Sequence, residues 1–230
     1  MDVVRERRKA STVSLPEGFR FRWILFCGMA EFLGIAFAAI LAVLGMGWED
    51  QLINLPIWLL PFSLALLSGG LEGAIVGRLQ WTILREIYPR IRAFSWMGVT
   101  ILAAVIAWLL GLLPGTLMAG SGADTNEPSN AMMIGMGALM GLFLGTLFGL
   151  FQHSILRRVV HQSSLWILAN AIGWTIGMAL IFAAAAWVQE GWPIWLIGGV
   201  AGLSGLLAGF SVGLSTGLVF SHLPLREQER

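Results

Sequence analysis

Glu31, Glu72 and Arg78 are ionisable side chains set inside long apolar runs, where charge is costly and normally faces protein or water rather than lipid. Counted from the nearer basic flank at about 1.5 Å per residue, Glu31 lies about 13 Å deep, Arg78 about 10 Å and Glu72 about 20 Å. Glu31 and Arg78 are level enough to pair, whereas Glu72 sits nearer the midplane with no cation at its own depth. Two roles are open to this group. It is a substrate or ion site, with Glu72 as a proton or cation site and Glu31 and Arg78 as a gate, or it is an interhelical clamp with Glu72 as a hydrogen-bonding acid. All three residues fall in the first two apolar runs, the first hairpin, which argues against a symmetric pore.

Gln80, Gln152, Thr216 and Asn170 form a second, shallower polar layer. Side-chain hydrogen bonds between membrane helices contribute about 0.6 kcal/mol on average, enough for the layer to fix helix register. The alternative is a vestibule for a polar headgroup or small solute. His153, His161 and His222 are separated in sequence, with no i, i+4 pair and no metal motif. A haem or chlorophyll ligand is one role open to His153; beyond that the sequence leaves cofactors unknown. No nucleophile elbow or phosphate loop is present, so no catalytic residue is assigned and the reading is non-enzymatic.

The elements that must carry these residues are membrane spans. Of 230 residues, 57% are hydrophobic and 12% charged, about half the charge share of a soluble domain. Apolar runs over about 23–46, 56–84, 93–118, 131–155, 164–188 and 194–220 predict an all-α integral membrane protein of six helices. This divides the chain into a basic tail at 1–22, a transmembrane domain at 23–220 and a second tail at 221–230. Basic residues segregate: Arg20 and Arg22 precede the first span, Arg85, Arg90 and Arg92 follow the second, Arg157 and Arg158 the fourth, and Arg226 and Arg230 the sixth. The loops at the other end carry Glu49, Asp50, Asp124, Glu127 and Glu190 and no Lys or Arg. The positive-inside rule then puts both termini in the cytoplasm. A cleaved signal peptide is the weaker reading of the N-terminus, since the first apolar run extends to Met46 and contains Glu31. Net charge of +1 gives no case for nucleic acid, and the single Cys27 excludes an internal disulfide.

Three of the spans carry the same stripe. Gly69, Gly73 and Gly77 precede Gln80; Gly141, Gly145 and Gly149 precede Gln152; Gly205, Gly209 and Gly213 precede Thr216. A four-residue step advances an α-helix by about 400°, so each triplet draws one smooth seam for close helix packing. The stripes all run toward the basic end, which predicts parallel repeats, drawn as helical hairpins of spans 1–2, 3–4 and 5–6, with spans 2, 4 and 6 packing tightly. Trp48, Trp58 and Trp192 are expected at the acidic-side interface.

Gly73-x-x-x-Gly77-x-x-Gln80-x-x-x-Leu84-Arg85 recurs as Gly145-x-x-x-Gly149-x-x-Gln152-x-x-x-Leu156-Arg157, each followed by a Trp-rich helix containing Trp96 and Trp108 or Trp166 and Trp174. Over 69–111 and 141–177 the chain resembles a group of uncharacterised bacterial polytopic membrane proteins. The resemblance implies fold and a bacterial cytoplasmic membrane, and brings no activity. The last copy departs from it at Thr216 and Ser221. Very short loops favour a non-catalytic subunit that assembles with membrane-protein partners in the lipid bilayer; the alternative is a small-solute or proton-coupled transporter using Glu31, Glu72 and Arg78.

Overall fold

The computed structural model describes residues 14–46, 56, 59–121 and 129–225. Six α-helices follow one another: α1 Phe19–Met46, α2 Leu59–Leu84, α3 Ala93–Ser121, α4 Asn130–Leu156, α5 Leu165–Ala185 and α6 Ile194–Val219, closed by a single 3₁₀ turn at Phe220–His222. All six are long and apolar enough to cross a membrane, so the chain is an all-α membrane protein. The helices form a ring in chain order, each packing on the next, with α6 returning to α1. Trp48, Trp58, Glu49, Asp50, Asp124, Glu127, Arg226 and Arg230 lie outside the described residues.

The glycine stripes set the close contacts of this ring. A Cβ added to Gly69, Gly73 or Gly77 would stand 2.7, 2.5 and 2.9 Å from the Cα atoms of Val105, Ile101 and Met97 on α3. On Gly145 and Gly149 it would meet the Cα atoms of Ala171 and Ile167 on α5 at 2.8 and 2.6 Å, and on Gly141 the carbonyl carbon of Trp174 at 2.7 Å. Gly205, Gly209 and Gly213 meet Glu31 O, Gly28 Cα and Ile24 Cα of α1 at 2.6, 2.7 and 2.9 Å. Backbone cannot yield as a side-chain tip can, so these nine positions admit only glycine. Each stripe therefore faces the helix that follows it round the ring. The seams join α2 to α3, α4 to α5 and α6 to α1, so the stripes meet neither one another nor the partner within hairpins 1–2, 3–4 and 5–6, the two arrangements that spacing left open.

The Arg-rich end holds the larger of two buried hydrophobic clusters among the described residues. Phe19, Trp23, Leu84, Tyr88, Trp96, Leu156, Val160, Trp166, Phe220 and Leu223 are buried together there. α1 starts four residues earlier than the hydropathy boundary because Phe19 belongs to this core, 1% exposed, with Leu15 packed against it. Gly18, at φ +66°, makes the left-handed turn into the helix that a side chain would strain. Likewise the 221–230 segment is no free tail where it is described. Leu223 is fully buried, its carbonyl accepts from the Tyr88 hydroxyl at 2.9 Å, and His161 N donates to Pro224 O at 2.9 Å beside an antiparallel bridge between Val160 and Leu225. Burial pushes the Tyr88 phenol well up from its ordinary value, keeping it a neutral donor.

Candidate functional site

At the level where the stripes end, the same hydrogen bond is made three times. Trp96 Nε1 donates to Gln80 Oε1 at 3.3 Å, Trp166 Nε1 to Gln152 Oε1 at 2.9 Å, and Trp23 Nε1 to Thr216 Oγ1 at 2.9 Å. An indole N–H is a donor only and is expensive to leave unmatched in an apolar interior; an amide or hydroxyl oxygen three residues beyond the last glycine supplies the acceptor. The layer is cross-linked: Gln152 Nε2 donates to Gln80 Oε1 at 3.1 Å and lies 3.2 Å from Thr100 Oγ1, and Gln80 Nε2 reaches Cys27 Sγ at 3.8 Å. The indole rings meet edge to face, Trp23 and Trp96 standing 5.8 and 6.0 Å from Trp166. Phe220 closes over them, 4.9 Å from Trp23.

This arrangement corrects part of the sequence reading. Gln80, Gln152 and Thr216 are buried and committed to tryptophans, and Asn170 Nδ2 bonds the Trp166 carbonyl at 2.9 Å. Among the described residues the layer is covered by Leu84, Leu156 and Phe220, so a vestibule does not open there. Sequence reasoning missed Trp23, Thr100 and Cys27 as members. The signal was present: Trp23, Trp96 and Trp166 are each followed four residues later by a small or polar side chain, Cys27, Thr100 and Asn170.

Further into the bundle, the three helix pairs stop being alike. Continuing four residues along each stripe-facing helix puts Glu31 on α1 where α3 has Ala104 and α5 has Trp174. Glu72 on α2 stands where α4 has Leu144 and α6 has Ala208. Both carboxyls are buried, 3% and 4% exposed, and close enough to interact electrostatically. Trp108 Nε1 donates to Glu72 Oε2 at 2.8 Å, and Gly34 of α1 leaves the room that the Glu72 stem occupies, an added Cβ standing 2.7 Å from Glu72 Cγ. Glu31 Oε2 is buried with no hydrogen-bond partner among the described residues. Ser68, one turn from Glu72, and Ser204, next to the glycine that abuts Glu31, are both buried.

The Glu31–Arg78 pair expected from depth is not made. Arg78 is exposed on the outer face of α2, its Nη1 bonding Thr82 Oγ1 at 3.3 Å and its guanidinium 5.0 Å from the Trp81 ring centroid. Depth was matched but azimuth was not. Arg78 precedes the inward-facing Gln80 by two residues, about 200° of helix rotation. The described ion pair is instead Arg22–Glu86 at 2.6 Å, at the edge of the Arg-rich end.

His153 stands on α4 where α2 has Trp81, with Nδ1 buried and without a hydrogen-bond partner among the described residues. No three His, Cys, Asp or Glu side chains come together as a metal site among those residues.

Fold and interior define a six-helix membrane bundle with a tryptophan–amide plug at one end and a buried carboxyl pair beyond it. Set against protein-family models, curated proteins and solved structures, the chain matches none of them.

Proposed function

We propose that Glu31 and Glu72 bind and release a proton inside the bundle, as the ionisable centre of a proton-coupled carrier for a small solute. One observation carries this reading: Glu31 Oε2 is buried beside a second buried carboxyl with no hydrogen-bond partner among the described residues. A bundle held together only for stability has no use for such a group, because each buried ionisable side chain raises the free energy of the fold. The tryptophan plug then serves as the closed side, and access in this reading comes from the opposite half of the ring. Arg78, assigned to the gate from the sequence, drops out of this site. By the positive-inside rule the plugged end faces the cytoplasm, and the resemblance to bacterial polytopic membrane proteins implies a bacterial inner membrane. The pairs α2–α3, α4–α5 and α6–α1 are taken as three parallel units, the last formed across the two ends of the chain.

Proteoliposomes loaded with a pH-reporting dye and exposed to gradients of small solutes and cations test this directly. Wild-type protein is expected to change internal pH with at least one gradient, and Glu72→Gln to abolish the change while its unfolding transition stays in place. Identical traces from wild type, Glu72→Gln and empty vesicles across the panel would overturn it.

A second reading, a non-catalytic assembly subunit with membrane-protein partners, is favoured by the plug itself, which closes the axis over Trp23, Trp96 and Trp166. Its glycine seams are consumed within the ring, so partners would meet lipid-facing side chains such as Leu139 and Phe143. Stoichiometric chains co-purifying in mild detergent would favour it, and visible absorbance would point to a tetrapyrrole on His153.

A further inference from the structure

We infer that the outer face of α2 at the Arg-rich end binds the phosphate of an anionic phospholipid through Arg78 and Arg85. The two guanidiniums each lie 5.0 Å from the centroid of the Trp81 ring. That ring is fixed in place, because its Nε1 donates to Ile91 O at 2.8 Å in the following turn. Both arginines are exposed, and among the described residues neither has a carboxylate partner.

The position of Arg78 makes the lack of a protein counter-charge informative. Along the stripe register, the residues corresponding to Arg78 are Leu150 on α4 and Leu214 on α6, which are 50% and 53% exposed on the same outward face. That face meets lipid chains at the other two helices, and at α2 it carries a permanent cation about 9 Å before the helix ends. An arginine there directs its head toward the interface, as Arg78 does in bonding Thr82 one turn closer to the Arg-rich end. Arg78 and Arg85, seven residues apart with Trp81 between them in sequence, bring two cations to one indole with no carboxylate partner among the described residues. A lipid phosphate is the anion at the interface toward which Arg78 runs, and guanidinium matches it with paired N–H donors. The same site is not repeated: His153 and Gly217 stand in place of Trp81. The lipid is therefore held at one of three otherwise similar corners, beside the helix that carries Glu72.

Native mass spectrometry of the full-length, delipidated protein titrated with phosphatidylglycerol or phosphatidylcholine tests this. Wild type is expected to prefer phosphatidylglycerol by about fivefold for each guanidinium that contacts it. Arg78→Leu, which installs the side chain found at 150 and 214, is expected to lower that preference about fivefold and leave phosphatidylcholine binding unchanged. Arg85→Gln, beyond the helix end, should do the same and carries the test if Arg78→Leu does not fold. Arg158→Gln, at a different corner, should leave the preference intact. Equal binding of the two lipids by wild type, an unaltered preference in both Arg78→Leu and Arg85→Gln, or an equal loss in Arg158→Gln would overturn the proposal. So would displacement of phosphatidylglycerol by equimolar inorganic phosphate, which would mark a free-anion site.

Discussion

The tryptophan–amide layer and the carboxyl pocket lie one to two helical turns apart on the same inward faces, yet they obey different rules. In the layer, each helix pair solves one problem identically: an indole donor from one helix, an oxygen acceptor from the other, and glycines above that let the backbones close. In the pocket, α1 and α2 carry acids where α3 through α6 carry Ala104, Leu144, Trp174 and Ala208. Threefold agreement marks what the ring needs in order to stand. Departure from it, at a cost in desolvation, is the feature on which the proposed proton site rests. The lipid-facing surface follows the same contrast, with leucine at 150 and 214 and arginine at 78.

Substitutions can break this contrast or sharpen it. The largest effect belongs to the plug: Trp166→Ala removes a fully buried ring that touches Trp23, Trp96 and Phe220, and should destabilise by about 3–5 kcal/mol, whereas Trp195→Ala, 72% exposed, should be near neutral. Denaturant unfolding in detergent distinguishes the two. Next comes the seam, where Gly145→Ile drives a branched side chain into the α5 backbone and should cost about 3 kcal/mol or more, against little change for Gly199→Ile, whose Cβ meets nothing within 4 Å. Gln152→Leu strands the Trp166 N–H and should cost about 1–3 kcal/mol by the same assay. The smallest is Tyr88→Phe, about 1 kcal/mol through loss of the bond to Leu223. Because the folded phenol titrates higher than the unfolded one, its stabilisation is whole below the unfolded value of about 10 and fades as pH rises above it. Wild type should therefore lose stability between pH 10 and 11 on that account while Tyr88→Phe does not.

How much of this was legible in the sequence follows from the kind of information each feature needs. Six spans, the stripes and the polar residue below each stripe depend on composition and helical period, and the helices formed where those signals lie. The choice of partner for each stripe depends on tertiary closure. The Trp23–Thr216 bond spans 193 positions, joining the first helix to the last, so a comparison of neighbouring segments could not pair α6 with α1. The Glu31–Arg78 pairing failed for a different reason, since rise along the helix was counted without rotation around it. Rotation alone would have separated the two: Glu31 follows Trp23 and Cys27 at steps of four on the inward face of α1, while Arg78 lies opposite Gln80 on α2. The inward position of Glu72 was accessible by the same count, eight residues before Gln80. The indole of Trp108 that meets it was not, because the α2–α3 turn that sets their relative height has no fixed period.

The most direct test of the central claim is an infrared pH titration of the membrane-reconstituted protein, following the carbonyl stretch of protonated carboxyl groups. The account predicts a band in wild type whose intensity changes reversibly with bulk pH, lost in the Glu31→Gln, Glu72→Gln double variant and altered in each single variant, with unfolding transitions within about 1 kcal/mol of wild type. Identical titrating bands in wild type and the double variant would contradict it and return both carboxyls to the packing of the ring.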